Sequence, residues 1–411
     1  MRTLLRTTLW ACVLLVGWRS RFATAGEPQR NFGPWNVAAL KKTPTATWGK
    51  RSGLTQEVYY EGESFRGKPT RIFGYLARPE TGKGPFPAIL LVHGGGGLAF
   101  PQWATIWAKR GYVALAMDTA GQGPQAEPSD SLKAEQRFHL PDGGPNQSKT
   151  FKFPNFTDDH VRNVWTYQAV AAVIRGHSLL AAQEDVDPQR IGITGISWGG
   201  YLTCIVSGLD DRLKVAIPVY GCGHLDHNSM WLGEFAEMTP DLKARWLKFF
   251  DPSRYVSGIL CPILFVNGTN DSAYPLDSYQ LTYRQVRQPD LCIKRNLPHS
   301  HPHGWGIPDV YTYADSILKQ APAYPRLSNI EVFGTTASAQ SLSKTPVIKG
   351  ELNYTTDQGP WLKRVWKAVP ATITEGKLAT KIPSARPIVF YLNGIDSRGA
   401  VASTPHVVLD K

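Results

Sequence analysis

Residues 186–201 read VDPQRIGITGISWGGY. The apolar run RIGITG (190–195) has the length of a buried strand, and YLTCIVSGL (201–209) has helical spacing. Between them lies Gly195-Ile196-Ser197-Trp198-Gly199, a G-x-S-x-G directly after a strand and directly before a helix. Glycines two before and two after the serine let strand and helix pack closely. A serine at the tip of so sharp a turn is exposed and strained. The helix N-terminus adds N–H groups and a favourable dipole where an oxyanion would develop. Ser197 is the candidate nucleophile, and the Trp198 main-chain N–H a candidate oxyanion donor.

The same rhythm extends outward. PAILLV (87–92), YVALAMD (112–118), VAIPVYG (215–221), PILFVNG (262–268) and CIKRNLP (292–298) are short apolar runs. Helical spacing recurs at 102–110, within 160–184 and at 309–320. Strands alternating with helices predict a mostly parallel sheet covered by helices, an α/β domain over residues 51–320. LTQEVYYEG and TRIFGYLARP (54–79) predict an antiparallel hairpin at its start, after a polar lead at 26–50. The Trp- and Phe-rich segment 224–255 reads as a lid-like insertion, with Trp231 and Phe235 as candidate pocket residues. After QAPAYPRL (320–327) the pattern changes to short alternating strands, which predicts a small antiparallel β-sandwich over 327–411.

Three further stretches carry candidate chemistry. In LLVHGGGG (90–97), His93 is followed by four glycines whose N–H groups can approach a substrate carbonyl; Gly95 and Gly96 are the candidate donors. No Lys-Ser/Thr pair follows, which excludes a phosphate loop. In FVNGTNDSAYP (265–275), Asp271 lies just past a strand end, where a carboxylate can orient a histidine. Asp251 and Asp290 lie away from such an edge. In NLPHSHPHGW (296–305), His299, His301 and His303 follow the last strand, and one of them is the candidate general base. Spacing does not settle which; the frame of His301, three residues after Pro298 and three before Gly304, resembles that of prolyl oligopeptidases and favours it, leaving His303 and His299 open. Alternating histidines also suit a metal, but no acidic cluster accompanies them, and no metal is expected. Asp118, in MDTAGQG, is expected to make structural hydrogen bonds.

The chain has 411 residues, 42% hydrophobic and 19% charged, which excludes disorder and coiled coil. Residues 1–25 read as an export signal: Arg2 and Arg6, the apolar stretch Leu9–Gly17, then Ala23-Thr24-Ala25. The expected location is periplasmic or secreted, with no membrane span after cleavage. Without the four arginines of this segment, the surplus of +12 falls to +8. No basic run is interleaved with aromatics, so nucleic acid is not an expected partner. Cys204, Cys222, Cys261 and Cys292 remain beyond the leader; in an oxidising compartment Cys261–Cys292 is the favoured pair of three possible arrangements.

HGGGG, MDTAGQG, VDPQRIGITGISWGGY, GTNDSAYP and LPHSHPHGW stand in the order found in α/β-hydrolases. The chain resembles the acetyl xylan esterase, dienelactone hydrolase and prolyl oligopeptidase branch of that superfamily. The resemblance implies a serine hydrolase working through an acyl-enzyme without a cofactor. Its expected substrate is a small ester or an acylated polysaccharide. The alternatives are a prolyl-oligopeptidase-like peptidase and a catalytically silent glycan-binding protein.

Overall fold

The computed structural model describes residues 31–125 and 136–410. Residues 1–25, read above as an export signal, lie outside the described residues. Among those described, no helix is long and apolar enough to cross a membrane.

The first domain is built on a nine-stranded sheet. Strands β1 (Ala46–Ser52), β2 (Thr55–Glu61) and β3 (Arg71–Ala77) form an antiparallel margin. Strand β4 (Phe86–Val92) lies between β5 (Val113–Met117) and β6 (Val186–Ile196). Then come β7 (Val215–Val219), β8 (Ile263–Gly268) and β9 (Pro289–Lys294), giving the order β1-β2-β3-β5-β4-β6-β7-β8-β9. From β5 to β9 every pairing is parallel. The central strands β4, β5, β7 and β8 are buried almost throughout because helices cover both faces, which is why they read as continuous apolar runs.

The helices run from α1 (Val37–Leu40), α2 (Pro101–Lys109) and α3 (Lys149–Lys152) to the long α4 (Trp165–Ala181) and α5 (Trp198–Leu209). Helices α6 (Leu232–Ala236) and α7 (Pro240–Phe250) lie between β7 and β8, in the segment read as an insertion. Helices α8 (Leu276–Tyr283), α9 (His301–Trp305) and α10 (Pro308–Leu318) complete the domain. Helix α5 is buried along its whole length, which explains its uniformly apolar sequence.

The C-terminal region is one curled antiparallel sheet. Its strands are β10 (Glu331–Phe333), β11 (Thr336–Gln340), β12 (Val347–Thr355), β13 (Lys367–Thr374), β14 (Lys377–Lys381), β15 (Ile388–Asp396), β16 (Val401–Ser403) and β17 (Val407–Leu409). Strand β13 turns the corner, pairing with β12 through Lys367–Ala371 and with β14 through Thr372–Thr374. The two leaves enclose a small core of Ala337, Ala339, Leu352, Ile388, Phe390 and Leu392.

The cysteine expectation fails. All four cysteines are free thiols. The β8–β9 register sets Cys292 opposite Val266, five residues along from Cys261. At about 3.3 Å per residue, that separation is several times what a disulfide spans.

Candidate active site

The parallel strands end on one edge, where four loops meet. The register aligns Val92 with Gly195, and Ile196 with Val219, so the glycine loop after β4 and Tyr220 after β7 flank Ser197. Ser197 has φ 58° and ψ −118°. A non-glycine residue there carries strain on the order of 1–3 kcal/mol, which persists only when its surroundings over-determine it. They do so by contact. A Cβ on Gly199 would collide with the Val92 carbonyl, and one on Gly195 with the Gly199 carbonyl. The Ser197 N–H donates to Val219 O at 2.8 Å.

The loop after β8 carries Asp271, which is 1% exposed. Its Oδ1 accepts from the N–H groups of Ala273 (2.9 Å) and Tyr274 (2.7 Å), which fixes the carboxylate plane. Its Oδ2 lies 2.7 Å from His299 Nδ1. A carboxylate only accepts, so Nδ1 carries a proton, and in the neutral ring Nε2 is the nitrogen left with a lone pair. The His299 ring lies against Tyr220 (centroids 4.5 Å) and stacks near Tyr274 (6.3 Å). Tyr220 OH donates to Pro298 O at 2.8 Å, tying the histidine loop to the strand end beside Ser197. A strained serine, an imidazole with a free Nε2 and a buried carboxylate are thus assembled on one edge.

The structure departs from the expected Asp271–His301 pairing. Ser300 Oγ accepts from the His303 N–H and caps α9, so the chain turns helical at His301. This carries the His301 ring away from Asp271 to the glycine loop. Its Nε2 accepts the Gly94 N–H at 2.9 Å, so its lone pair is occupied. Burial pushes His301 down to about 3. His303 is exposed and bonds Ser300 Oγ through Nδ1 at 2.7 Å.

The glycine loop is held by a local network. Thr119 N–H donates to His93 Nε2 (2.9 Å), so His93 Nδ1 carries a proton and donates to Gly94 O (2.8 Å). Asp118 accepts from Ala120 and Gln122 N–H groups and has the structural role expected of it. Of the two expected glycine donors, Gly96 is engaged, its N–H donating to Gln147 Oε1 at 3.1 Å. Gly95 is exposed, and its N–H has no partner among the described residues. Trp198, as the first residue of α5, has an N–H without an intrahelical acceptor. Gly95 lies against Trp198: a Cβ on it would sit 3.0 Å from Trp198 Cδ1. These two N–H groups are the open donors beside Ser197.

Trp231 packs on Trp198 (4.5 Å) and Tyr274 (5.0 Å), and is partly exposed at the site. Phe235 is not a pocket residue. It is buried against Phe153 and Trp246. Sequence reasoning missed Lys152, whose ammonium lies over the Trp198 ring at 4.4 Å and the Trp165 ring at 5.1 Å. Burial lowers it to about 7. Its stretch SKTFK reads as basic surface loop, and only the tertiary fold brings it inside. Among the described residues, no group of three or more His, Cys, Asp or Glu could hold a metal ion.

This sheet order, the strand–serine–helix turn and the loops after β8 and β9 define an α/β-hydrolase. Residues 52–264, more than half of the chain, match the acetyl xylan esterase (AXE1) family, and the chain belongs to that family. It is 24% identical over 229 residues to acetyl esterase Axe7A of Xylanibacter ruminicola, an alignment covering 53% of this chain and 50% of that protein. The chain thus spans half the length of that relative. Two solved structures share the fold. Acetyl xylan esterase from Paenibacillus sp. R4 matches at 22% identity and TM-score 0.53, over 69% of this chain and 92% of its own. Acetyl xylan esterase 1 from Thermoanaerobacterium sp. JW/SL YS485 matches at 18% and 0.51, over 68% and 91%.

Proposed function

We propose that the chain is a serine hydrolase of carboxylic esters, acting on acetyl groups of a polysaccharide outside the cytoplasm. Ser197 Oγ attacks the ester carbonyl while His299 Nε2 takes its proton. Asp271 holds the Nδ1–H tautomer and stabilises the imidazolium. The Gly95 and Trp198 N–H groups receive the oxyanion; losing one such donor costs about 10²–10³ in rate. The imidazolium then gives its proton to the leaving sugar hydroxyl, and the acetyl group stays on Ser197 Oγ. Water, activated by the same histidine, releases acetate and restores the serine. No cofactor enters any step. Trp231 gives a sugar ring an aromatic face beside the site.

The observation that carries this reading is the 2.7 Å Asp271–His299 bond on the edge that also presents Ser197 at φ 58°. Family membership supports the ester and acetyl parts. The test is acetate release from acetylated xylan and from 4-nitrophenyl acetate, with Ser197→Ala alongside. Release that is lost in the variant is expected. A wild-type protein inert on both, yet active on peptide amides, would overturn the reading. Export rests on residues 1–25; an exported product whose N-terminus follows Ala25 is expected, and retention in the cytoplasm contradicts it.

A further inference from the structure

Asn270 immediately precedes Asp271, and its side chain does not face the site. Its amide Nδ2, with two N–H groups, one of them shared, reaches three main-chain carbonyls of the C-terminal domain: Arg364 at 2.7 Å, Leu362 at 3.0 Å and Trp361 at 3.3 Å. Its Oδ1 accepts from Thr269 Oγ1 at 2.8 Å. Thr269 Oγ1 in turn accepts the Asn296 N–H at 3.0 Å, three residues before His299. One chain of hydrogen bonds therefore joins the histidine loop, the aspartate loop and a turn of the other domain.

That turn is itself stiff. Residues Trp361–Lys363 form a single 3₁₀ turn. Arg364 Nε donates to Gly359 O (2.8 Å), and the Val365 N–H donates to Asp357 Oδ2 (2.7 Å). Trp361 stacks with Trp366, which packs on Tyr391 of β15. The same domain also grips β9, the strand that leads to His299. Ile293 N–H donates to Ser403 Oγ at 2.7 Å, and Ile293 O accepts from Asn393 Nδ2 at 3.1 Å. Strand β9 is the sheet's edge, and these side chains occupy edge groups that would otherwise stay unpaired. Arg295 Nη1 adds a bond to Asn353 Oδ1 at 3.1 Å.

We propose that Asn270 is a positioning residue through which the C-terminal domain sets the alignment of Asp271 with His299. The domain then contributes to turnover without touching substrate, which gives it a task other than glycan binding. The inference rests on the Ser197–His299–Asp271 reading. The physical basis is that an aligned pair needs both loops held to a fraction of an ångström, and a loop anchored only by its own main chain does not supply that.

The test uses the full chain with Asn270→Ala, Asn270→Asp and Asn270→Gln. Asn270→Asp keeps the shape, removes the donors and sets a carboxylate against carbonyls. Asn270→Gln keeps the amide. On 4-nitrophenyl acetate, kcat is expected to fall about tenfold in the first two with KM nearly unchanged, and less in Asn270→Gln. The far-downfield proton resonance of His299 Nδ1, assigned by its loss in His299→Ala, is expected to broaden or move upfield in the same order. Trp361→Ala, which loosens the turn but leaves Asn270 in place, is expected to do the same and guards against a folding failure at position 270. Wild-type kcat and an unchanged resonance in folded Asn270→Ala and Asn270→Asp would overturn the proposal. Loss of activity in Ser197→Ala alongside that result would leave the triad reading standing.

Discussion

Ser197 is fixed by main-chain contact and its glycine loop by contact and hydrogen bonds, all within the α/β domain, whereas the loop of Asp271 and the strand leading to His299 are also tied by hydrogen bonds to the C-terminal domain. On the first side, glycines bring main chain against main chain: Gly199 on Val92 and Gly200 on Val219. Such packing leaves no slack, because a misplaced atom meets backbone. On the second side, the positions depend on polar side chains, Asn270, Ser403 and Asn393, that cross between domains. Packing of this kind demands glycines at set positions around Ser197, and that demand shows in the spacing. Bridging hydrogen bonds make no such demand, and the residues that make them look ordinary in the chain.

The sharpest break of the first side is Ser197→Ala. Acetate release should fall by about 10⁴-fold or more, with Tm unchanged or raised as the strain at φ 58° is relieved in part. Retained turnover at one tenth of wild type would remove Ser197 from its role. Gly199→Ala comes next. Its Cβ would strike the Val92 carbonyl, so a loss of about 3 kcal/mol or more is expected in denaturant unfolding. Gly359→Ala, in open space near the C-terminal turn, should stay within about 0.5 kcal/mol. Equal losses at the two glycines would erase the distinction drawn here.

Buried ionisable groups sharpen the comparison further. Lys152 has its folded pKa lowered to about 7 by burial. Between that value and its ordinary one near 10.5, the unfolded chain binds a proton that the folded chain releases. Stability from this group is therefore complete above its ordinary pKa, falls as pH drops towards 7, and is flat below. Lys152→Met should stabilise the protein by about 2 kcal/mol at pH 6, after loss of its two indole contacts, and by much less at pH 10.5. A variant less stable at pH 6 would contradict this. The smallest effect belongs to His406, lowered to about 4 by burial beside Trp361. Here the unfolded chain takes up a proton as pH falls from 6.5 to 4, and stability is lost across that window. His406→Phe should gain about 1 kcal/mol at pH 5 and nearly nothing at pH 8. Equal shifts at both pH values would count against it.

The legible part of the molecule matches this division. RIGITGISWGGY announces strand, turn and helix because each glycine there answers a steric demand. Asp271 is readable because it closes a strand in an acid-bearing loop. The base was not readable. His299, His301 and His303 differ by two residues each, and the choice depends on Ser300 capping α9 and on the Gly94 N–H taking His301 Nε2. Gly96 was set aside by Gln147, fifty-one residues away. Asn270 and Lys152 acquire meaning only from partners that the fold brings to them. The cysteine pairing fails because β8 and β9 are neighbours in a register that sets Cys292 opposite Val266, and sequence does not show register.

The central claim is that His299, held by Asp271, serves Ser197, while His301 holds the glycine loop. The most direct measurement is kcat/KM for acetate release by His299→Ala and by His301→Ala, each confirmed folded. The expected result is a loss of about 10³–10⁴-fold for His299→Ala and about tenfold for His301→Ala. The reverse order would contradict the account.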